Sequence, residues 1–165
     1  MAAGKSTVAQ HLAERLPRSV HLRGDLFRRM IVNGQASMEP PLSDEAESQL
    51  RLRYRLAAAS AGQYLAAGFH VIYQDIILGP ILAEVVDLLR AEGPAALVVL
   101  CPSPAAVAER EAGRDKTGYA GWTPHDLDTA LRADTPRLGL WLDTSTLSVA
   151  QTVDAILARL DEAAV

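Results

Sequence analysis

Apolar and polar positions along the 165-residue chain switch repeatedly between two periods. Val8, Leu12 and Leu16, with Ala9 and Ala13 beside them, recur at helical spacing until Pro17 stops the run. Ser19 to Gly24 alternates apolar and polar, which predicts a strand. Asp25 then opens a helix through about Val32, closed by Asn33-Gly34, and residues 35–42, with Pro40-Pro41, read as loop. Ser43-Asp44-Glu45-Ala46 is a helix start, and that helix runs to about Ala67 with Gly68 as its cap. Phe69 to Gln74 is a β-rich apolar run ending at Asp75, and Ile81 to Arg90 is helical until Gly93-Pro94 breaks it. Ala96 to Cys101 is continuously apolar, the mark of a strand buried on both faces of a parallel sheet. Pro104 to about Ala112, Thr123 to about Ala133 and Ser148 to Ala163 are predicted helices. Gly113 to Trp122 is a glycine-bearing segment, and Leu138 to Leu142 is the last strand.

Strands alternating with helices predict an α/β fold of three layers, α/β/α, with a parallel sheet covered on both faces. No internal repeat, low-complexity tract or linker interrupts it, so residues 1–165 read as a single domain. Ligands of such sheets collect at the C-terminal ends of the strands. Asp25, Asp75, Cys101 and Asp143 fall there.

Composition narrows the classes. Apolar residues make up 49% and charged residues 22%, ordinary for a soluble globular chain. A net charge of −4 gives no nucleic-acid footprint. Asp75 and Glu84 interrupt the longest apolar stretch, so no membrane span is expected. The single Cys101 excludes an internal disulfide and fits a reducing, cytoplasmic setting. Of sixteen basic residues only Lys5 and Lys116 are lysines, and Lys and Arg are not interchangeable at phosphate sites.

Lys5 belongs to Gly4-Lys5-Ser6-Thr7, the back half of the phosphate-binding pattern G-x-x-x-x-G-K-[ST]. In that pattern backbone N–H groups curl around phosphate oxygens, the Lys reaches the β/γ-phosphates and the hydroxyl ligates Mg²⁺. The triplet opens an amphipathic helix, whose N-terminus favours an anion. An ordinary helix start capped by Ser6 or Thr7 is the simpler alternative. A buried strand normally feeds such a loop, yet only Met1-Ala2-Ala3 precede Gly4. The first strand and first glycine are therefore expected to be missing by truncation, since the sheet would otherwise leave backbone groups unpaired. A native start at Met1 would defeat that expectation.

With this triplet, Asp25 at the second family strand's end and a basic segment late in the chain, the sequence resembles a P-loop small-molecule kinase. It looks most like the chloramphenicol phosphotransferase-like group, with gluconate and shikimate kinases as more distant relatives. The resemblance implies a P-loop NTPase-like fold, ATP and Mg²⁺ as cofactors, and a small molecule with a hydroxyl as acceptor. Carried over, Gly4, Lys5, Ser6 and Thr7 bind the nucleotide, with Thr7 at the α-phosphate and Ser6 at Mg²⁺. Asp25 activates the acceptor, although the spacing also suits a helix N-cap. Asp75 faces Mg²⁺ as a Walker-B-like acid, or merely caps a turn before Gly79-Pro80. Arg110, Arg114 and Lys116 neutralise developing charge as part of a lid over 113–122, against the alternative of a solvated charged helix. Thr144 and Ser145 resemble the loop that wraps adenine, or form a capping turn. Arg28, Asn33 and Tyr54, in and near the 34–68 acceptor region, are substrate-side candidates. Arg51 and Arg55, with Glu47 one turn away, read as an exposed salt-bridged face. The four histidines show no metal-ligand spacing and are expected to be structural. A nucleotide-binding module without catalysis and a nucleotide monophosphate kinase are the alternatives.

Overall fold

A computed structural model of the chain describes residues 3–112 and 121–165. In chain order its elements are α1 (Lys5–Glu14), β1 (Ser19–Arg23), α2 (Gly24–Arg29), α3 (Asp44–Ala66), β2 (His70–Gln74) and α4 (Ile81–Arg90). They continue with β3 (Val98–Leu100), α5 (Pro104–Ala112), α6 (Pro124–Thr129), β4 (Leu140–Leu142) and α7 (Val149–Ala158). A π-helical turn, Ala130–Asp134, prolongs α6, and a 3₁₀ turn, Leu160–Ala163, prolongs α7.

All strand pairing between elements is parallel, as the alternation of strands and helices requires. It forms two ladders, β1–β2 and β3–β4, where one continuous sheet was expected. β1 pairs β2 from Ser19↔His70 to Arg23↔Gln74, and β3 pairs β4 from Val98↔Leu140 to Leu100↔Leu142. Helix α1 spans both. Its Val8 joins Leu100, Leu142, Val153 and Ile156 in the core under β3–β4, while the helix also packs on β1 and β2. Element ends also shift. Helix α2 stops at Arg29, short of the expected Val32, and Asp25 stands in its first turn with Arg23 at the cap position. The expected last helix divides into α7 and the 3₁₀ turn.

Side-chain alternation assigns each face of β1–β2 to one helix, because successive residues of a strand point to opposite sides. On one face Ser19 donates to the Ala13 carbonyl, His21 meets Gln10, and Gln74 meets Ser6, so positions 19, 21 and 74 face α1. On the other face Tyr73 donates to Asp75, which Arg53 of α3 also meets, so positions 73 and 75 face α3. Two helical layers thus flank the pair, with chemistry divided between them.

Helix α3 owes its start to Ser43, whose hydroxyl accepts from the Ala46 N–H at 3.2 Å, with Asp44, Glu45 and Glu47 in the first turn. It buries Tyr54, Ala57, Ala58 and Ala61, a stripe at helical spacing whose small residues permit close approach to β2. Out of that stripe Arg53 reaches the Asp75 carboxylate. Arg53 Nε donates to Oδ2 at 2.7 Å, a second guanidinium nitrogen pairs with Oδ1, Tyr73 Oη donates to Oδ2 at 2.7 Å and the Ile76 N–H donates to Oδ1 at 2.7 Å. The Asp75 side chain is 1% exposed and that of Arg53 13%. Gly24 lies directly beneath, where a Cβ would stand 1.9 Å from Asp75 Oδ2. The absence of a side chain at position 24 lets the carboxylate close over the tip of β1.

A buried carboxylate deprived of its counter-charge is strongly destabilising. Arg53→Met is therefore expected to cost about 3–5 kcal/mol, and adding Asp75→Leu to recover most of that loss. Urea midpoints at constant slope measure both; equal losses in the single and double variants would exclude the ion pair as the cause. Tyr54, 2% exposed, donates to the Ile76 carbonyl at 3.3 Å, and burial pushes its phenol up to about 12. Its raised folded value means stability is intact below pH 10 and is lost as pH rises towards 12, by about 2–3 kcal/mol. Tyr54→Phe should make the alkaline decline shallower, and denaturation at pH 9 and pH 12 should show different losses for the two proteins.

Candidate active site at the tips of β1 and β2

Gly4 caps α1 in the left-handed conformation, φ 84° and ψ 5°, and its carbonyl accepts the Val8 N–H at 2.9 Å. No side chain caps this terminus, so neither Ser6 nor Thr7 serves as N-cap. Lys5 opens the helix, half-buried, and Ser6 and Thr7 follow exposed in its first turn. First-turn N–H groups lack intrahelical acceptors, so those of Ser6 and Thr7 face outward with the positive end of the helix dipole. A left-handed glycine feeding such a turn matches the geometry of an anion-binding nest.

Ser6 Oγ donates to Gln74 Oε1 at 2.9 Å. Gln74 ends β2, and register places it beside Arg23 at the end of β1. Two residues back on β1, His21 Nδ1 lies 3.0 Å from Gln10 Oε1, and Gln10 Nε2 donates to Glu14 Oε1 at 3.0 Å. A carboxylate only accepts, so Glu14 fixes the Gln10 amide with its oxygen towards His21. Nδ1 then donates to the Gln10 oxygen. Burial and the neighbouring Arg23 lower the His21 pKa, against a hydrogen bond with Gln74 and the charge of Asp25. Ser6, Thr7, Gln10, His11, His21 and Arg23 together line a cleft of about 320 Å³.

Asp25 comes next along the same row. Arg29 holds its Oδ2 at 2.7 Å, and Arg23 Nε lies 3.6 Å from its Oδ1. Oδ1 is buried and accepts no hydrogen bond. Asp25 is therefore held by Arg29 through Oδ2, while its buried Oδ1 faces the Arg23 guanidinium without a hydrogen bond. It does not cap α2, which excludes that simpler role.

Three expectations are corrected. Asp75 does not face Ser6: its carboxylate is enclosed on the α3 side by Arg53, Tyr73 and the Ile76 N–H, because odd positions of β2 point away from α1. The polar group that meets Ser6 is Gln74, an amide one residue earlier, which sequence reading missed although it ends an apolar run. Tyr54 is buried against Ile76, out of reach of an acceptor. Arg28 donates through Nη2 to the Ala36 carbonyl at 2.7 Å and its own carbonyl accepts from Gln35, so it braces the loop after α2. Asn33 is exposed in that loop. Arg51 pairs with Glu84 of α4 and not with Glu47.

A second group gathers beyond β4. Arg110 Nη2 on α5 donates to the Thr144 carbonyl at 2.5 Å and approaches that of Ser145 at 3.4 Å. Ser145 Oγ donates to Asp143 Oδ1 at 2.5 Å and accepts from the Ser103 N–H at 2.8 Å. The Ser145 hydroxyl and the Ser145 N–H, both donating to Oδ1, hold the Asp143 carboxyl below the usual carboxylate range. The Thr144 hydroxyl is buried and has no hydrogen-bond partner among the described residues. Arg114, Lys116 and most of the expected lid lie outside the described residues. Among the described residues no cluster of His, Cys, Asp and Glu has metal-binding geometry, and no helix is long and apolar enough to cross a membrane.

Residues 1–135 match the AAA domain family. Among solved structures, the chain is similar to a sugar kinase from Janibacter sp. HTCC2649, at 22% identity and a TM-score of 0.67, covering 98% of this chain and 90% of that one. It is similar to the APS kinase CysC of Mycobacterium tuberculosis, solved with AMPPNP and APS, at 18% identity and a TM-score of 0.68 over 97% and 92% of the two chains. It is also similar to the tunicamycin resistance protein of Deinococcus radiodurans, at 20% identity and a TM-score of 0.65 over 98% and 91%. No curated protein sequence matches it. With a family match that spans most of its length and a P-loop kinase-like α/β fold, the chain belongs to the AAA domain family.

Proposed function

We propose that this protein transfers the γ-phosphoryl group of ATP to a hydroxyl of a small molecule, as a chloramphenicol phosphotransferase-like kinase does. One observation carries the reading: Asp25 is held by Arg29 through Oδ2, leaves Oδ1 without a hydrogen bond, and follows the row that lines the cleft beside Ser6 and Thr7. In this reading Gly4 and the first turn of α1 receive the phosphates, Lys5 bridges the β/γ-phosphates, and Thr7 meets the α-phosphate. Thr144 and Ser145 border the adenine, in a loop fixed by Arg110. Arg114 and Lys116 bring further positive charge. Arg28 and Asn33 stand on the acceptor side.

Mg²⁺ entering with the nucleotide would neutralise charge on the β- and γ-phosphate oxygens. Ser6 fits that ion. Its proton is committed to Gln74, which leaves an oxygen lone pair for a metal held mainly by phosphates and water. Asp75 does not fit, since Arg53 and Tyr73 already occupy its oxygens. The acceptor hydroxyl would give its proton to Asp25 Oδ1 as the oxygen attacks the γ-phosphorus in line, and the β-phosphate would leave as ADP.

An amide beside Ser6, where a carboxylate was expected, favours a second reading of nucleotide binding without turnover. Mg-ATP binding with no ADP release across an acceptor panel would support that alternative. For the kinase, Asp25→Asn should preserve Mg-ATP affinity and lower turnover by roughly 10²–10⁴-fold. Lys5→Ala should weaken nucleotide binding itself, read by calorimetry. Unchanged turnover in Asp25→Asn would remove this carboxylate from the chemistry.

A further inference from the structure

Strand parity decides which side chain at the end of β2 meets the first turn of α1, and it presents an amide. Gln74 Oε1 accepts from Ser6 Oγ at 2.9 Å. The acid next to it is out of reach. Asp75 faces α3 with both oxygens taken: Arg53 meets each, Tyr73 Oη donates to Oδ2 and the Ile76 N–H to Oδ1. Its side chain is 1% exposed, so turning it towards α1 would break a buried ion pair. Among the described residues no other carboxylate replaces it. The cleft beside Ser6 is lined by Ser6, Thr7, Gln10, His11, His21 and Arg23, none of them an acid. Asp25 keeps Oδ2 on Arg29 and turns Oδ1 to Arg23 at 3.6 Å, so guanidiniums already balance its charge. Glu14 is bonded to Gln10 and lies 3.6 Å from His11.

The missing acid has a thermodynamic consequence. Mg²⁺ at a phosphate-binding turn is ordinarily shared between the phosphates and one or two protein carboxylates. Such a carboxylate attracts the cation and repels bare phosphates, so it makes metal and nucleotide bind together. By linkage, the factor by which Mg²⁺ strengthens nucleotide binding equals the factor by which the protein strengthens the hold of the nucleotide on Mg²⁺. A neutral amide supplies neither the attraction nor the repulsion. Register also sets Gln74 directly beside Arg23, so the nearest charge on β1 is positive and favours the bare, more highly charged nucleotide.

We propose that Gln74 uncouples nucleotide binding from Mg²⁺: the chain takes up a nucleoside di- or triphosphate nearly as well without the metal as with it. A carboxylate at position 74 would couple the two. The amide that holds Ser6 is thus the residue that sets the metal dependence of this site. The assignment rests on the phosphotransfer reading for the presence of a nucleotide at Gly4 to Thr7, and goes beyond it in naming what governs the entry of that nucleotide.

Calorimetry on the full chain tests it, with ADP and AMPPNP titrated in excess Mg²⁺ and in excess EDTA at matched ionic strength. Wild type is expected to bind each nucleotide within about threefold under the two conditions, since no protein charge favours the metal. Gln74→Glu keeps the side-chain length and an oxygen for Ser6. It should weaken binding in EDTA and bring the ratio to about tenfold or more in favour of Mg²⁺. Gln74→Met loses the bond to Ser6 without adding charge, so its ratio should stay within about threefold even where affinity falls. Gln63→Glu places the same charge at an exposed position of α3 and should leave the wild-type ratio unchanged. Thermal unfolding midpoints close to wild type establish that each variant is folded. A wild-type gain above about threefold from Mg²⁺, or a Gln74→Glu ratio no larger than that of wild type, overturns the assignment. ADP release, measured separately across an acceptor panel, judges the phosphotransfer reading. Turnover alongside a failed ratio leaves that reading standing, and the expected ratios without turnover strike phosphotransfer alone. No nucleotide binding under either condition overturns both.

Discussion

A carboxylate that is 1% exposed must be matched, and the pairing of Asp75 with Arg53 meets that constraint at the point where three elements converge. It joins α3 to the tip of β2 and closes over Gly24 at the tip of β1. Gly24 is the first residue of α2, so the ion pair fixes where that short helix begins and hence where Asp25 stands. Burial pulls the Arg53 pKa down, opposed by nearby Tyr54, Tyr73 and Asp25. The guanidinium is still charged at neutral pH, as arginine is in proteins. Position, more than reactivity, is what this pair supplies.

On the opposite side of the same two strands the chemistry is open. Gln74, His21 and Arg23 present amide, imidazole and guanidinium groups towards α1, which adds the Ser6 hydroxyl to the cleft. One face of β1–β2 is locked by a satisfied ion pair and the other keeps unsatisfied polar atoms. Separation by strand parity allows both within five residues of chain, since neighbouring side chains never share a face.

Much of this was legible in the sequence, because element type follows from period. The triplet at Gly4, the alternation over Ser19 to Gly24, the apolar run at Ala96 and the order of strands and helices all survive in the fold. What escaped was pairwise. Arg51 and Arg55 drew notice as an i,i+4 pair, while Arg53, on another face of α3, makes the buried bond. Asp75 was placed at the metal because it ends an apolar strand. Parity, which depends on where the strand begins and which helix covers each face, gave that role to Gln74. The division of the strands into two ladders likewise depends on tertiary placement, which no local period encodes.

Helix α1 ties those ladders together. Val8 sits in the core beneath β3 and β4, while Ser6 and Gln10, two residues to either side and one turn apart, grip β2 and β1. Any ligand seated on Gly4 to Thr7 therefore pulls on a rigid rod anchored in both halves of the molecule. Occupancy at one end of the rod would stiffen strands that share no hydrogen bond with each other, so the two halves would report the same binding event as a single body.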